Sequence, residues 1–174
     1  VARAFRRRFP RLDLLVNSAA AFERRPLSDT DAALFDGQMA LNARAPMLLT
    51  RALLPALRRA RGCVVNVLDV GGALVPWVGY AAYGASKAAL RALTESMALE
   101  LAPEIRVSAV APGTVLWPEA QAASARRRLA RRIPLRRVGE PEDVARAVRF
   151  LADSPFVTGA VVPVDGGRHL AGRG

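Results

Sequence analysis

Tyr83 and Lys87 stand four residues apart in the run Tyr-Gly-Ala-Ser-Lys-Ala-Ala-Leu. On a helix, that spacing puts both side chains on one face, one turn apart. A tyrosine with its ordinary pKa of about 10 is a poor acid or base at neutral pH. A neighbouring ammonium favours the phenolate and would let Tyr83 exchange a proton with a substrate. Lys87 is also the only lysine in a chain with 26 lysine and arginine residues. An ammonium is a compact charge on a flexible stem, and its three donors suit a ribose hydroxyl; a guanidinium fork is larger and differently aimed. The plainer reading of such a pair is a tyrosine at the core edge and a lysine in solvent. A single lysine among so many arginines speaks against that reading.

The frame for these side chains is legible in the alternation of apolar runs with helical stretches. Arg11–Asn17, Cys63–Asp69, Ile105–Gly113 and Gly159–Gly167 are predicted as strands or strand-turns. Asp29–Ala60 is expected as one long helix starting near Asp29 or Thr30, tolerating Gly37, Pro46 and Pro55. A second helix runs from Tyr80 to Leu101 and stops at Pro103, and a third covers Glu140–Asp153 with Pro141 in its first turn. Val1–Pro10 reads as the end of an amphipathic helix, and Ala125–Arg137 as an arginine-rich loop. Strands apolar on both faces and separated by helices predict a parallel sheet covered by helices, one α/β domain over residues 1–174. In such folds ligands bind at the carboxyl ends of the strands. Asn17 to Phe22, Asp69 and Pro112 to Trp117 therefore surround one crevice.

Composition narrows the function classes. With 52% hydrophobic and 24% charged residues over 174 positions, the chain is suited to a sizeable packed core. No apolar run approaches the roughly 20 residues of a membrane span. The lone Cys63 lies in an apolar strand, so no disulfide framework is expected and a cytoplasmic setting is the default. A net charge of +11 raises the question of a polyanion partner. Aromatics make up only 6% and none interleave with the arginine-rich segment, so a nucleic-acid partner is not expected. No metal site is expected either, and His169 is read as a surface residue.

The run from Tyr83 to Gly113 resembles the short-chain dehydrogenase/reductase family over its catalytic helix and the following strand. Leu-Asp-Leu-Leu-Val-Asn-Ser-Ala-Ala looks like that family's Asn-Asn-Ala-Gly strand end, and Asn42 in Leu-Asn-Ala-Arg-Ala-Pro looks like its helix asparagine. Val138 to Gly167 is similar to the family's C-terminal portion, so four motifs occur in the right order across essentially the whole chain. The resemblance implies a three-layer, Rossmann-like parallel sheet and a homotetramer. Asp69 after Val-Asn-Val, Phe22 after the strand-end alanines, and Ala-Pro-Gly-Thr-Val-Leu-Trp-Pro-Glu narrow the likeness to the pteridine reductases of that family. That likeness implies NADPH-dependent reduction of a pterin or folate-type ring. Tyr83, Lys87, Asp69 and Asn42 would be catalytic, Asn42 by placing a water near Lys87. Asn17, Ser18, Ala19, Pro112, Gly113 and Thr114 would line the cofactor with Tyr83 and Lys87. Phe22 and Trp117 would frame the flat ring beside Asp69.

Departures from the pattern keep other readings open. No Gly-x-x-x-Gly-x-Gly turn occurs, and that turn cradles the cofactor pyrophosphate in the family. The expectation is an N-terminally incomplete domain: a piece of a longer protein, or a shortened product with impaired cofactor binding. Ser18 stands where the family has its second asparagine. Asp69 and Tyr83 are one residue farther apart than expected, which a loop at Gly71–Gly72 would absorb. The rival functions are a carbonyl reductase acting on an oxoacyl or sugar substrate, and a non-catalytic structural domain.

Overall fold

A computed structural model describes residues 2–116 and 122–171 of the chain. Four strands form one parallel sheet: β1 (Leu14–Asn17), β2 (Cys63–Val67), β3 (Arg106–Pro112) and β4 (Val161–Val164), in that spatial order. Valines dominate the two central strands because both of their faces are covered. Val64 and Val107 pack towards one layer of helices, and Val65 and Val110 towards the other. The first layer holds α1 (Ala2–Arg8), α3 (Ala45–Ala60) and α5 (Ala81–Leu101), meeting the sheet through Phe5, Leu53, Leu57, Met97 and Leu101. The second is α7 (Pro141–Asp153), which inserts Val144, Val148 and Leu151. Fully buried side chains such as Leu57 and Leu151 each contribute about 1.5–3 kcal/mol. The expected three-layer α/β architecture is the one found.

Two expectations about helices need correction. The stretch predicted as one helix over Asp29–Ala60 is divided: a 3-10 turn at Leu27–Asp29, then α2 (Ala32–Met39), a π-helical stretch over Ala40–Arg44, and α3. The cap of α2 is Asp31, whose carboxylate accepts from the Leu34 N–H at 2.8 Å, rather than Asp29 or Thr30. Pro46 has no N–H to offer the Asn42 carbonyl four residues back, and the ladder widens at that point. The arginine-rich segment is not simply a loop. Its first half lies in α6 (Ala123–Ala130), with turns after it, and Arg126, Arg127, Arg128, Arg131 and Arg132 are exposed.

The elements nearest the crevice begin and end for identifiable reasons. Helix α5 stops at Ala102, in extended conformation before Pro103. Helix α7 opens with Pro141 behind a reciprocal capping box between Glu140 and Asp143. At its other end, Arg106 at the start of β3 donates to the Leu151 and Ala152 carbonyls, both at 2.7 Å. One side chain thus ties the last turn of α7 to the middle of the sheet. Between β2 and α5 the chain makes a single turn, α4 (Val70–Ala73), which carries the loop over the carboxyl end of the sheet.

Candidate active site

Strand β2 delivers Asp69 to the crevice, and α5 brings Tyr83 and Lys87 to the same place. The Tyr83 hydroxyl donates to the Asp69 carboxylate at 2.8 Å, and that carboxylate also accepts from the Gly71 N–H at 2.6 Å. The closure depends on glycine. Gly72 has a left-handed φ of 83°, and a Cβ there would lie 2.3 Å from the Gly84 Cα, so loop and helix backbones touch. This contact brings the loop onto the helix where the Asp69 carboxylate meets the phenol. Lys87 is 2% exposed, and its ammonium donates to the Val67 carbonyl at 2.9 Å, 5.8 Å from the centre of the Tyr83 ring.

The electrostatics differ from the expectation in sign. Burial, then the charge of Asp69 and its hydrogen bond, push the Tyr83 phenol well above its ordinary value. Asp69 dominates because its carboxylate touches the hydroxyl, whereas the Lys87 ammonium donates to a backbone carbonyl and not to the phenol. Burial brings Lys87 itself down to about 8, against the pull of Asp69. Asp69 is raised by burial, opposed by the Gly71 N–H, Tyr83, Lys87 and Arg168. The phenol is therefore held protonated, and beside this carboxylate it is a weaker acid than a free tyrosine, so its proton leaves only where a positive charge or a bound group offsets the phenolate.

The other predicted residues fall into distinct surroundings. Asn42, on the π stretch, is fully buried; its amide donates to the Ala21 carbonyl, Gln38 and Ser86, and its oxygen accepts from the Ala21 N–H at 2.8 Å. It clamps the backbone next to Phe22 through the paired bonds to Ala21. Asn17 turns inward, donating to Asn66 at 2.8 Å, and Asn66 in turn donates to Thr94. Its side chain therefore ties the strand ends together and does not face the crevice. Ser18 and Ala19 are exposed, and Ser18 lines a cleft of about 710 Å³ with Val67, Pro112 and Leu116. Gly113 rests on Asp165, where a Cβ would come within 2.7 Å. Thr114 lines a neighbouring cavity of about 630 Å³. Trp117 lies outside the described residues.

Phe22 is 56% exposed and stacks on Tyr80 with centroids 4.9 Å apart, its edge towards Tyr83. Trp77 meets Tyr80 edge-on at 5.8 Å and lies over Gly71, where a Cβ would be 2.6 Å from the ring. Trp77 and Tyr80 escaped the sequence reading, although Trp77, Tyr80 and Tyr83 recur every three residues. His169, expected on the surface, is half-buried with Nδ1 2.8 Å from Asp165. Among the described residues no cluster of His, Cys, Asp and Glu is arranged to hold a metal, and no helix is long and apolar enough to cross a membrane.

A doubly covered parallel sheet with a Tyr–Lys helix and a partner carboxylate at its carboxyl edge puts the candidate site where open α/β folds bind their ligands. A family model described as Enoyl-(Acyl carrier protein) reductase matches residues 1–169. The chain belongs to the short-chain dehydrogenase/reductase family, whose members use nicotinamide cofactors. It is 42% identical to the protein FixR of Bradyrhizobium diazoefficiens, over 91% of this chain and 60% of that protein. Against the cyclopentanol dehydrogenase of Comamonas sp. the identity is 41%, over 90% of this chain and 66% of the relative. An apo SCOR enzyme structure from Clostridium thermocellum superposes with a TM-score of 0.82 at 30% identity, over 91% of this chain and 63% of that one. The chain thus spans 60% and 66% of the length of these two curated relatives.

The chemistry of the donor set fits the nicotinamide-ribose half of such a cofactor. Lys87 has two N–H donors beyond the one given to Val67, the Tyr83 ring centre lies 5.8 Å from its ammonium, and Ser18 and Pro112 border a cleft with Val67.

Proposed function

We propose that this chain carries the catalytic part of an NADPH-dependent reductase acting on a C=N bond of a pterin, dihydropterin or folate-type ring. When bound, the reduced nicotinamide supplies a hydride to the ring carbon. Tyr83 donates its phenolic proton to the ring nitrogen, so that one hydride and one proton convert C=N to CH–NH. Asp69 aims the phenol and, with its acidity already weakened by burial, relays the replacement proton. Lys87 offsets the charge left on Tyr83 and holds the ribose hydroxyls. Ser18, Ala19, Pro112, Gly113 and Thr114 border the nicotinamide, and Phe22 and Trp117 frame the substrate ring. Asn42 and Asn17 act through the backbone they fix. The exposed Leu41, Leu48 and Leu99 support assembly through the α3–α5 side, in the family's tetrameric manner.

One observation carries the reading: the 2.8 Å bond from Tyr83 to a carboxylate, where carbonyl-reducing members of the family are expected to have a serine. A carboxylate accepts from the ring N–H and amino groups of a pterin, which a simple ketone lacks. A second reading, oxidation of an alcohol or reduction of a ketone, is favoured by the 41% identity to a cyclopentanol dehydrogenase. The complete protein, given NADPH and dihydrobiopterin, is expected to consume NADPH at least about 100-fold faster than its Tyr83→Phe variant. Equal rates would overturn the reading. Faster reduction of cyclopentanone, raised further by Asp69→Ser, would install the second.

A further inference from the structure

Arg168 reaches the crevice from outside both the Tyr–Lys helix and the strand ends. After β4 the chain turns through Asp165–Ala171, and Asp165 fixes that turn by accepting from the Gly167 N–H at 2.9 Å and the His169 N–H at 2.6 Å. Arg168 leaves the turn in the direction of the strand ends. Its Nη1 donates to the Thr114 hydroxyl at 2.8 Å, and its guanidinium carbon lies 5.1 Å from the centre of the Trp77 ring. Trp77 covers Gly71, which is hydrogen-bonded to Asp69, and touches Tyr80, the partner of Phe22. The guanidinium therefore joins the rim that runs from Asp69 through the aromatic side chains to Tyr83. Its field also reaches Asp69, opposing the effect of burial there. Among the described residues no carboxylate lies within ion-pair distance of Arg168, although the same chain pairs six other arginines with carboxylates.

We infer that Arg168 is a specificity-determining residue, binding a carboxylate that the substrate carries away from its reacting bond. This rests on the reductase reading proposed for the site. The cation–π contact with Trp77 and the bond to Thr114 hold the guanidinium in place, and Nε and Nη2 remain as donors for a two-pronged contact. A fixed fork loses little freedom when it binds, so it can separate substrates that differ only in charge.

The test compares dihydrofolate, whose glutamate tail carries carboxylates, with dihydrobiopterin, which has none. In the complete protein, Arg168→Gln is expected to lower the ratio of kcat/KM for dihydrofolate to that for dihydrobiopterin about 10- to 100-fold, mostly through KM. Arg168→Lys keeps the charge but loses the fork, and falls between. An equal effect on both substrates marks a merely structural arginine and overturns the inference. Calorimetric titration of both compounds into the NADPH-loaded protein makes the same comparison without turnover. A wild-type preference for the anionic compound that Arg168→Gln abolishes supports the inference, and no such preference refutes it. Failure of the pterin reading is seen separately, as a wild type that neither turns over nor binds either compound. The pair then becomes acetoacetate and methyl acetoacetate, where the same shift in ratio supports the role of Arg168 and its absence overturns it.

Discussion

Lys87→Met should separate stability from activity in a pH-dependent way. The side chain is buried, and its acidity is shifted from the ordinary lysine range to about 8, chiefly by that burial. The unfolded chain keeps this proton up to about pH 10.4, so between about 8 and 10.4 the unfolded state binds more protons than the native one. Native stability therefore climbs as pH rises through that window, and the full penalty applies below it. At neutral pH the burial penalty is on the order of 3 kcal/mol. Methionine removes that penalty but leaves the Val67 carbonyl without its donor, costing about 1–3 kcal/mol. The variant is expected to match the parent or exceed it by up to about 2 kcal/mol at about pH 7. The advantage should shrink by about 2 kcal/mol by about pH 9.5, because only the parent gains there. Urea denaturation of the complete protein and its variant at both pH values measures the double difference, in which titrating groups that do not interact with Lys87 cancel. A stability gap that does not change with pH would refute the reasoning.

The same group predicts a limb in the pH profile of the proposed reduction. The ammonium form of Lys87 is the competent one, so kcat/KM should fall as pH rises through about 8, and a profile flat to about pH 10 would exclude Lys87 as its cause. Asn66→Leu tests the buried polar chain beneath the site. It strands the Asn17 amide and removes the donor to Thr94, so urea denaturation should show a loss of about 1–3 kcal/mol, and no loss would mean that the chain carries no net stability.

The parts that read correctly from sequence share a local cause. Strands β2 and β3 are short apolar valine runs, α5 ends where Pro103 forbids it to continue, and α7 announces itself with Pro141 and acids in its first turn. Asp29–Ala60 misled because periodicity records helical character but not the number of residues per turn, and Pro46 is compatible with α or π geometry on either side. At the site, spacing brought Tyr83 and Lys87 to one helix face, but it could not give the sign of the coupling. That sign depends on which group touches the phenolic oxygen, and a left-handed glycine at Gly72 decides it by letting Asp69 come close. Arg168 left no trace because it is one of many arginines in the chain. Only the turn fixed by Asp165 distinguishes it from those facing solvent.

The solitary lysine gains a physical account from its surroundings. The cation at position 87 is enclosed, and among the described residues its one hydrogen-bond acceptor is the Val67 carbonyl. A guanidinium carries five N–H donors and stays charged at every relevant pH, so enclosing it against a single acceptor would leave buried donors unsatisfied. An ammonium has three donors. One goes to Val67, and two remain for a ligand's hydroxyls; when the ligand is absent the group can also shed its proton more readily than a free lysine, which limits the cost of burial. Most arginines of the chain do not meet these conditions, because they face water, as along α6. Burial with one acceptor, rather than charge alone, is what lysine satisfies at this position and arginine does not.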